Sequence, residues 1–167
     1  MSRKHRRYSL KSKEVKTLLS KASGRLKVDV STFIDSKANV DVVEADFGDI
    51  FLIKGRPLLF RAGTQILPTL LFTEVFVNMP KVVVDMGAVP YVCNGADIMA
   101  PGIERMEGRF IKGDIVVVVD EKHGKPLSLG EILYDAEEAR KIEQGIVVRN
   151  IHFVSDKIWN FSKTFAG

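Results

Sequence analysis

The 167-residue sequence has little of what several common protein classes require. Its one cysteine, Cys93, cannot form an internal disulfide, and the lack of paired cysteines and histidines leaves no ligand spacing for structural zinc. No window of about 18 apolar residues occurs, so no membrane-spanning helix is predicted. The Arg-rich start has no apolar segment behind it, which argues against a secretory signal. Together these features predict a protein of the reducing cytoplasm.

The sequence also lacks the usual signatures of catalysis. It contains no G-x-S-x-G elbow, no phosphate-binding loop, no metal-ligand spacing and no histidine near Cys93. Carboxylates are numerous, but no pair is distinguished by its surroundings. We therefore expect a protein that is not an enzyme and that uses neither a metal nor a cofactor.

Basic residues are concentrated at the beginning of the chain. Residues 1–27 contain ten Lys and Arg residues against one acid, Glu14, whereas the rest contains fifteen basic and twenty acidic residues. Such a segment can neutralise nucleic-acid phosphates and release their counterions. The alternative is a solvated terminus that only aids solubility. Residues 1–8 are predicted to be disordered in isolation, because they are terminal and highly charged.

The first half of the sequence predicts an α+β domain, which we assign to residues 1–78. An amphipathic helix is expected after an N-cap at Ser12 and before a stop at Gly24, because apolar residues recur there at helical spacing. Further on, the pattern predicts a strand at 40–43, a hairpin that turns at Gly55-Arg56, a turn region at 63–68 and a short helix at 69–77.

The second half, assigned to residues 79–160, predicts a small barrel of short strands with two helices. Short apolar runs alternate with glycine turns at about 8–12-residue spacing. Gly130 is expected to form a bulge, and Asp135 to cap a helix over 136–143. His152 is expected to be a hydrogen-bonded structural histidine. The apolar segment around Trp159 is expected to fold back and close the interface between the domains, the alternative being a patch that binds a partner.

Four motifs in the second half carry a family resemblance. They are Asp85-x-Gly87-Ala88, Gly95-Ala96-x-Ile98-Met99-x-Pro101-Gly102-Ile103, Gly113-Asp114 before an all-valine strand, and Gly145-Ile146-Val147-Val148. This pattern resembles the PUA domain, named for pseudouridine synthases and archaeosine transglycosylases. The resemblance implies a pseudo-barrel that binds RNA, and therefore an α+β protein in which a basic N-terminal α+β domain precedes a PUA domain.

The resemblance extends over roughly residues 40–160 to a more specific group. Residues 48–61, 67–70 and 145–159 are similar to the malignant T-cell amplified sequence proteins, which have yeast and archaeal relatives. Eukaryotic members of that family pair with density-regulated protein and act on the small ribosomal subunit in re-initiation and recycling. The resemblance thus implies tRNA or rRNA, the small ribosomal subunit and a similar protein as partners, and we expect an archaeal source.

The segment from Gly95 to Gly102 is the first candidate for RNA contact, because small residues let a phosphate or base approach the backbone. The alternative is a tight turn whose glycines serve only the backbone conformation. In PUA domains this helix and loop lie beside bound RNA. The predicted RNA-binding residues are Gly87, Ala88, Gly95, Ala96, Asp97, Ile98, Met99, Ala100, Pro101, Gly102, Lys81, Arg105 and Arg149, with Arg3, Lys4, Arg6 and Arg7 from the basic segment.

Other residues near this loop have more than one interpretation. Asp97 could accept a hydrogen bond from a base edge or simply cap the turn. Tyr91 and Phe110 are expected to pack in the core, the alternative being that they stack on an unpaired base. The sequence predicts a non-catalytic protein that binds structured RNA, and the resemblance points to the tRNA acceptor end in translation initiation, re-initiation or recycling. The alternatives are an RNA-binding accessory of a modification enzyme and a protein-interaction module.

Overall fold

The computed structural model describes residues 5–166, which fold into two sheets with short helices. The strands are β1 (Arg7–Ser9), β2 (Val40–Ala45), β3 (Gly48–Ile53), β4 (Arg56–Ala62), β5 (Gln65–Pro68), β6 (Lys81–Val84), β7 (Ile98–Met99), β8 (Ile103–Glu107), β9 (Ile115–Asp120), β10 (Pro126–Ile132) and β11 (Ile146–Phe153). The helices are α1 (Ser12–Leu26), α2 (Thr73–Phe76), α3 (Val89–Val92), α4 (Ala136–Ala139) and α5 (Lys157–Lys163), with 3₁₀ turns at Val30–Thr32 and Ala100–Gly102. None of the helices in this range is long and apolar enough to cross a bilayer.

The first sheet is antiparallel, with its strands in sequence order from β1 to β5. Its central hairpin turns at Lys54 and Gly55, which both have positive φ (51° and 82°). This conformation fits the right-handed twist of the two strands. The hairpin was predicted one residue later, and Arg56 instead begins β4.

The start of the chain is ordered from β1 onward, so the prediction of disorder up to Tyr8 is wrong for the strand residues. Tyr8 pairs with Val42 in β2. Asp41 accepts hydrogen bonds from the Ser9 hydroxyl at 2.7 Å and from Arg7 Nε at 2.9 Å. These donors hold the pKa of Asp41 below its ordinary value, the Ser9 hydroxyl having the largest effect. The ion pair therefore ties the basic segment to the sheet.

Three elements in the first half differ from the prediction, and burial accounts for the differences in the first two. Helix α1 passes through Gly24 to the buried Leu26, and its N-cap is Lys11, whose backbone N–H donates to Glu14 at 2.9 Å. The predicted turn at 63–68 contains β5, which buries Ile66 and Leu67. Helix α2 is only one turn long.

The second sheet has the order β7-β11-β10-β9-β6-β8, in which β6 and β9 are parallel and the other neighbours antiparallel. Strand β8 was not predicted, because its side chains are half-buried or exposed and carry no apolar run. The predicted bulge at Gly130 is confirmed by a register shift between Leu129 and Gly130. A Cβ at Gly130 would lie 2.3 Å from a Val148 methyl group, so only glycine fits there. The α+β class with a PUA pseudo-barrel is likewise confirmed.

Alternate valines of the second sheet enter two different cores. Val83, Val117 and Val119 pack with the first sheet and α1, whereas Val82 and Val118 pack with α3 and α4 on the opposite face. This division follows from the two-residue period of a strand. The first sheet therefore packs directly on one face of the second.

His152 lies fully buried between the two sheets and is a structural residue, as predicted. Its Nε2 accepts the Leu70 backbone N–H at 3.0 Å, and its Nδ1 is 2.8 Å from Asp156 Oδ2. Because Nε2 is an acceptor, Nδ1 carries the proton and donates it to Asp156. Asp156 also accepts from the Trp159 N–H at 2.7 Å and so caps α5.

Helix α5 returns to the first sheet, which confirms the predicted fold-back of the apolar tail. Ile158, Trp159 and Phe161 pack against the core that the two sheets share. The Phe161 ring meets the Phe47 ring edge-on, with their centroids 5.5 Å apart. In α4, the Asp135 carboxylate accepts from the Lys112 N–H rather than from the helix, and α4 ends at Ala139 instead of the predicted residue 143.

Replacing His152 with alanine should lower the free energy of unfolding by about 3 kcal/mol or more, because it leaves a cavity and an unpaired buried Leu70 N–H. Urea denaturation measures this change. His123→Ala, in the exposed β9–β10 loop, is the control and should change stability by less than about 0.5 kcal/mol. Equal stability of both variants would contradict the role of His152.

Asp156 should make stability dependent on acid pH. Burial opposes its ionisation, but the hydrogen bonds from His152, Trp159 N–H and Phe153 N–H outweigh burial and hold the pKa of Asp156 below its ordinary value. The stability that the ionised Asp156 carboxylate contributes is therefore fully present above its unfolded-state pKa. It is lost as the pH falls through its folded-state pKa. The measurement is the urea midpoint of wild type and Asp156→Asn between neutral pH and about pH 2.5. The loss of stability caused by Asp156→Asn should shrink below about pH 4. The exposed Glu143→Gln should show no such trend.

Candidate nucleic-acid interface

The loop from Gly95 to Gly102 is held in place by one residue of β11. The Asn150 side chain donates to the Ala96 carbonyl at 2.9 Å and the Val92 carbonyl at 3.1 Å, while its backbone N–H donates to Asp97 Oδ1 at 2.9 Å. Asp97 thus helps to hold the loop in place. This agrees with the structural role predicted for it and not with contact to a base edge. Since Asn150 lies on β11, which is hydrogen-bonded to a neighbouring strand on each side, the loop backbone is held in one conformation.

Gly95 and Gly102 are required for different reasons. Gly95 has a φ of 92°, and a Cβ there would lie 3.0 Å from the Phe153 ring. Gly102 does not have positive φ, but a Cβ there would lie 3.1 Å from the Ala88 Cβ. The Gly102 carbonyl also accepts the Asp85 N–H at 2.9 Å. The loop therefore packs tightly against the turn that precedes α3.

That turn contains the other small residues of the motif. The Asp85 carboxylate accepts the Ala88 N–H at 2.8 Å, and Gly87 lies close above the same carboxylate. Ala88 is half-buried against Gly102, so a larger side chain would push the loop away. Gly87 and Ala88 thus shape the loop, and the exposed Gly87 leaves the backbone open to a ligand.

The loop exposes only some of the predicted residues. Ile98 and Ala100 are buried in the second core, so their side chains face away from solvent. Ala96, Met99 and Pro101 are exposed. Met99 pairs with the exposed Ile146 across the β7–β11 ladder, which extends the apolar surface.

Tyr91 of α3 lies beside the start of the loop, since its carbonyl accepts the Ala96 N–H at 3.0 Å. Its side chain is 70% exposed, so the prediction that Tyr91 packs in the core is wrong, whereas Phe110 is buried as predicted. Pro90 occupies the first turn of a helix only four residues long, and the buried contact of that helix is made by Val92. The short helix thus leaves the aromatic ring of Tyr91 in solvent beside the loop, where an unpaired base can stack.

Two arginines lie close to the loop. Arg105 and Arg140 line a cavity of about 300 Å³ together with Ala100 and Ile103. Arg105 is ion-paired with Glu107 at 3.2 Å, and Arg140 stacks over the Phe110 ring at 5.5 Å. Arg140 was not among the predicted residues, because α4 is adjacent to the loop only in the folded protein.

Two other predicted residues, Lys81 and Arg149, make their side-chain contacts away from the glycine loop. Lys81 Nζ donates to the Phe76 and Met79 carbonyls. Lys81 begins β6, and the other end of that strand, at Val84, is about 10 Å away. Arg149 is bound to Glu131 at 3.3 Å. The same Glu131 oxygen pairs with Arg25 of α1 at 3.3 Å, so Arg149 belongs to a contact between the two halves.

Much of the basic segment is neutralised by neighbouring acids. Arg6 pairs with Glu44 at 3.5 Å, Arg7 with Asp41 at 2.9 Å, and Lys27 with Asp114 at 2.8 Å. Arg3 and Lys4 lie outside the described residues. Within residues 5–27 of the basic segment, the lysines whose side chains have no acidic partner are Lys11, Lys13, Lys16 and Lys21, on or next to α1.

No group of three His, Cys, Asp or Glu side chains between residues 5 and 166 is arranged to hold a metal ion. Burial raises the pKa of the Cys93 thiol, against the effect of the nearby Lys125, so Cys93 stays protonated at neutral pH. The proximity of Lys125 indicates that the β9–β10 loop lies beside the end of α3. Glu121 of that loop accepts the Met86 N–H at 3.1 Å.

Comparisons with known families divide the chain into two matched regions. Residues 80–154 match the PUA domain, and residues 6–74 match a domain of unknown function (DUF1947). A crystal structure of a PUA domain from Aeropyrum pernix superposes with a TM-score of 0.85 and 26% identity, covering 96% of this chain and 92% of that one.

Relatives that align with most of this chain occur in archaea and eukaryotes. An uncharacterized protein of Methanocaldococcus jannaschii is 36% identical over 93% of this chain and 96% of its own. Translation machinery-associated protein 20 of Saccharomyces cerevisiae is 29% identical over 95% and 93%. Human malignant T-cell-amplified sequence 2 is 31% identical over 70% and 67%. The resemblance stated from the motifs is thereby confirmed.

Substituting Asn150 with alanine should free the loop while leaving the sheet intact. Two carbonyls lose their donor, which should cost about 1–2 kcal/mol of stability. Amide hydrogen exchange should accelerate over residues 92–102 and stay unchanged over the first sheet. The exposed Asn94→Ala is the matched control, and equal exchange rates in both variants would show that Asn150 does not hold the loop.

Proposed function

This chain belongs to the PUA-domain family that includes the malignant T-cell-amplified sequence proteins, and we propose that it binds the acceptor end of tRNA on or near the small ribosomal subunit. The PUA domain and the relatives support an RNA-binding role in general, and the name of the yeast relative supports a role in translation. The proposed role is initiation, re-initiation or recycling, and it involves no catalysis.

One observation carries the proposal: the apolar surface beside the glycine loop is both exposed and rigidly held. Tyr91, Met99 and Pro101 face solvent, while Asn150 fixes the backbone beneath them. Exposed apolar patches mark binding sites, and unpaired bases stack on aromatic rings. The single-stranded end of tRNA supplies such bases, whereas a duplex keeps its bases stacked.

Charge supplies the second part of the proposed binding mode. Arg105 and Arg140 flank the loop, and the unpaired lysines of α1 add a second positive surface. We propose the loop, including Gly87, Ala88 and residues 95–102, as the RNA contact, with Arg105 beside it. Lys81, Arg149, Arg6 and Arg7 would contribute only if RNA displaced their present partners.

The remaining assignments stay predictions. They are the division into a basic domain (1–78) and a PUA domain (79–160), a cytoplasmic location, an archaeal source, the small ribosomal subunit as a partner, and a protein partner similar to density-regulated protein. The relatives named for translation support the ribosomal assignment.

The test is binding of the full chain to deacylated tRNA with and without its terminal CCA, at two salt concentrations. Removing CCA should weaken binding at least about ten-fold, because stacking contributes about 1–3 kcal/mol per base. Tyr91→Ala should weaken binding of intact tRNA similarly and reduce the effect of CCA removal. Val77→Ala, an equally exposed apolar residue near α2, should bind like wild type.

Two outcomes would contradict the proposal. One is equal affinity for both tRNAs, with affinity falling alike for every RNA as salt rises. The other is unchanged binding by Tyr91→Ala. In either case the four free lysines of α1 would dominate, and the log–log salt slope, about −0.7 to −0.9 per phosphate, would report how many phosphates they contact.

A further inference from the structure

A cavity of about 390 Å³ opens between α1 and the first sheet, and we refer to it as the helix cleft. Its sheet side is formed by Tyr8, Val42, Phe51, Arg61 and Ile66, which lie on neighbouring strands. Phe60 contacts His152 between the sheets, and Arg61 is the next residue of β4, so it points to the opposite face. The helix cleft therefore lies on the far side of the first sheet from the PUA half.

The floor of the helix cleft is apolar, and one rim is a stripe on α1. Val42, Phe51 and Ile66 form the floor and are almost completely buried. Lys13 and Lys21 are eight residues apart, so they lie on one helix face two turns apart. Across the opening, the Arg61 guanidinium lies 5.5 Å from the centroid of the Phe51 ring.

The charges at the rim favour an anion. Neither Lys13 nor Lys21 has an acidic partner among residues 5–166, and the two carboxylates of the rim are already engaged. Glu14 accepts the Lys11 N–H at 2.9 Å, and Asp49 accepts Arg61 Nε at 3.3 Å. The terminal NH₂ groups of Arg61 make no hydrogen bond within the described range, so they are available to a ligand. The three cations of the rim, Lys13, Lys21 and Arg61, outnumber its two carboxylates, which leaves a net positive charge.

We propose that the helix cleft binds one nucleotide of single-stranded RNA. The base would stack on the Arg61 guanidinium over the apolar floor, and its phosphates would contact Lys13 and Lys21. Arginine planes over aromatic rings are stacking platforms for unpaired bases, and small-ligand pockets begin at about 300 Å³. An amphipathic acidic peptide would need an extended groove for anchors over two or more turns, which a compact cleft beside one helix does not provide.

This site is separate from the glycine loop, although it rests on the proposed function in taking RNA as the ligand. No residue that lines it belongs to the second sheet. An RNA that reaches both sites would be held at two points, and the second contact would gain from the effective concentration created by the first.

The test is a ¹H–¹⁵N NMR titration of the full chain with pentauridylate. Amides of residues 13–21 and of Arg61 should shift on binding. The variant Lys13→Glu/Lys21→Glu should bind about ten-fold or more weakly at the cleft, because it removes two phosphate contacts. The control Lys37→Glu/Lys54→Glu makes the same charge change at two exposed positions outside the cleft and should retain most of the affinity.

A second variant tests the cleft without changing charge. Thr17 lies on the rim between the two lysines, and Thr17→Trp should block the opening and abolish the shifts while the rest of the spectrum shows an intact fold. Tyr91→Ala should leave the cleft shifts unchanged.

Three results would overturn the inference. The first is the absence of cleft shifts while CCA-dependent tRNA binding persists, which would leave the proposed function standing. The second is equal weakening by both double variants, which would mean a net-charge effect. The third is cleft shifts caused by a polyglutamate peptide but not by pentauridylate. Conversely, cleft shifts without CCA-dependent binding would support the cleft and contradict the proposed function.

Discussion

The hydrogen bonds made by Asn150 and His152, two residues of the single strand β11, hold together the parts on which binding depends. Asn150 fixes the glycine loop through the carbonyls of Val92 and Ala96. Two residues later, His152 connects the second sheet to Leu70 and, through Asp156, to helix α5. The loop is therefore mounted on the same strand that joins the two halves, so its position relative to the first sheet is fixed by packing and not by a flexible linker.

Charge on the first half has two separate uses. Arg7, Arg25 and Lys27 are ion-paired and attach the start of the chain and α1 to the two sheets. Within residues 5–27, the lysines that remain unpaired are Lys11, Lys13, Lys16 and Lys21, on or next to α1. The positive charge of the basic segment that is not ion-paired is thus concentrated along one helix.

The sequence predicted those features that local pattern determines. Continuous runs of valine revealed the strands, and Gly130 and His152 had the expected roles because a bulge and a polar residue in an apolar strand each leave a local signal. Strand β1 and the role of Asn150 escaped prediction, because their partners lie more than thirty residues away. The candidate loop was found from its glycines and the PUA resemblance, but which nearby side chains are exposed depends on tertiary packing. The sequence therefore favoured a buried Tyr91 and missed Arg140.

The central claim is that the glycine loop and Tyr91 contact the 3′ end of tRNA. The most direct measurement is cross-linking of the full chain to deacylated tRNA carrying a photoreactive group on its terminal adenosine, with the attachment sites mapped by mass spectrometry. The account predicts cross-links at Tyr91 and within residues 95–102, which an excess of unlabelled intact tRNA abolishes and tRNA lacking CCA does not. Cross-links confined to the first sheet and α1, or equally displaced by both tRNAs, would contradict it.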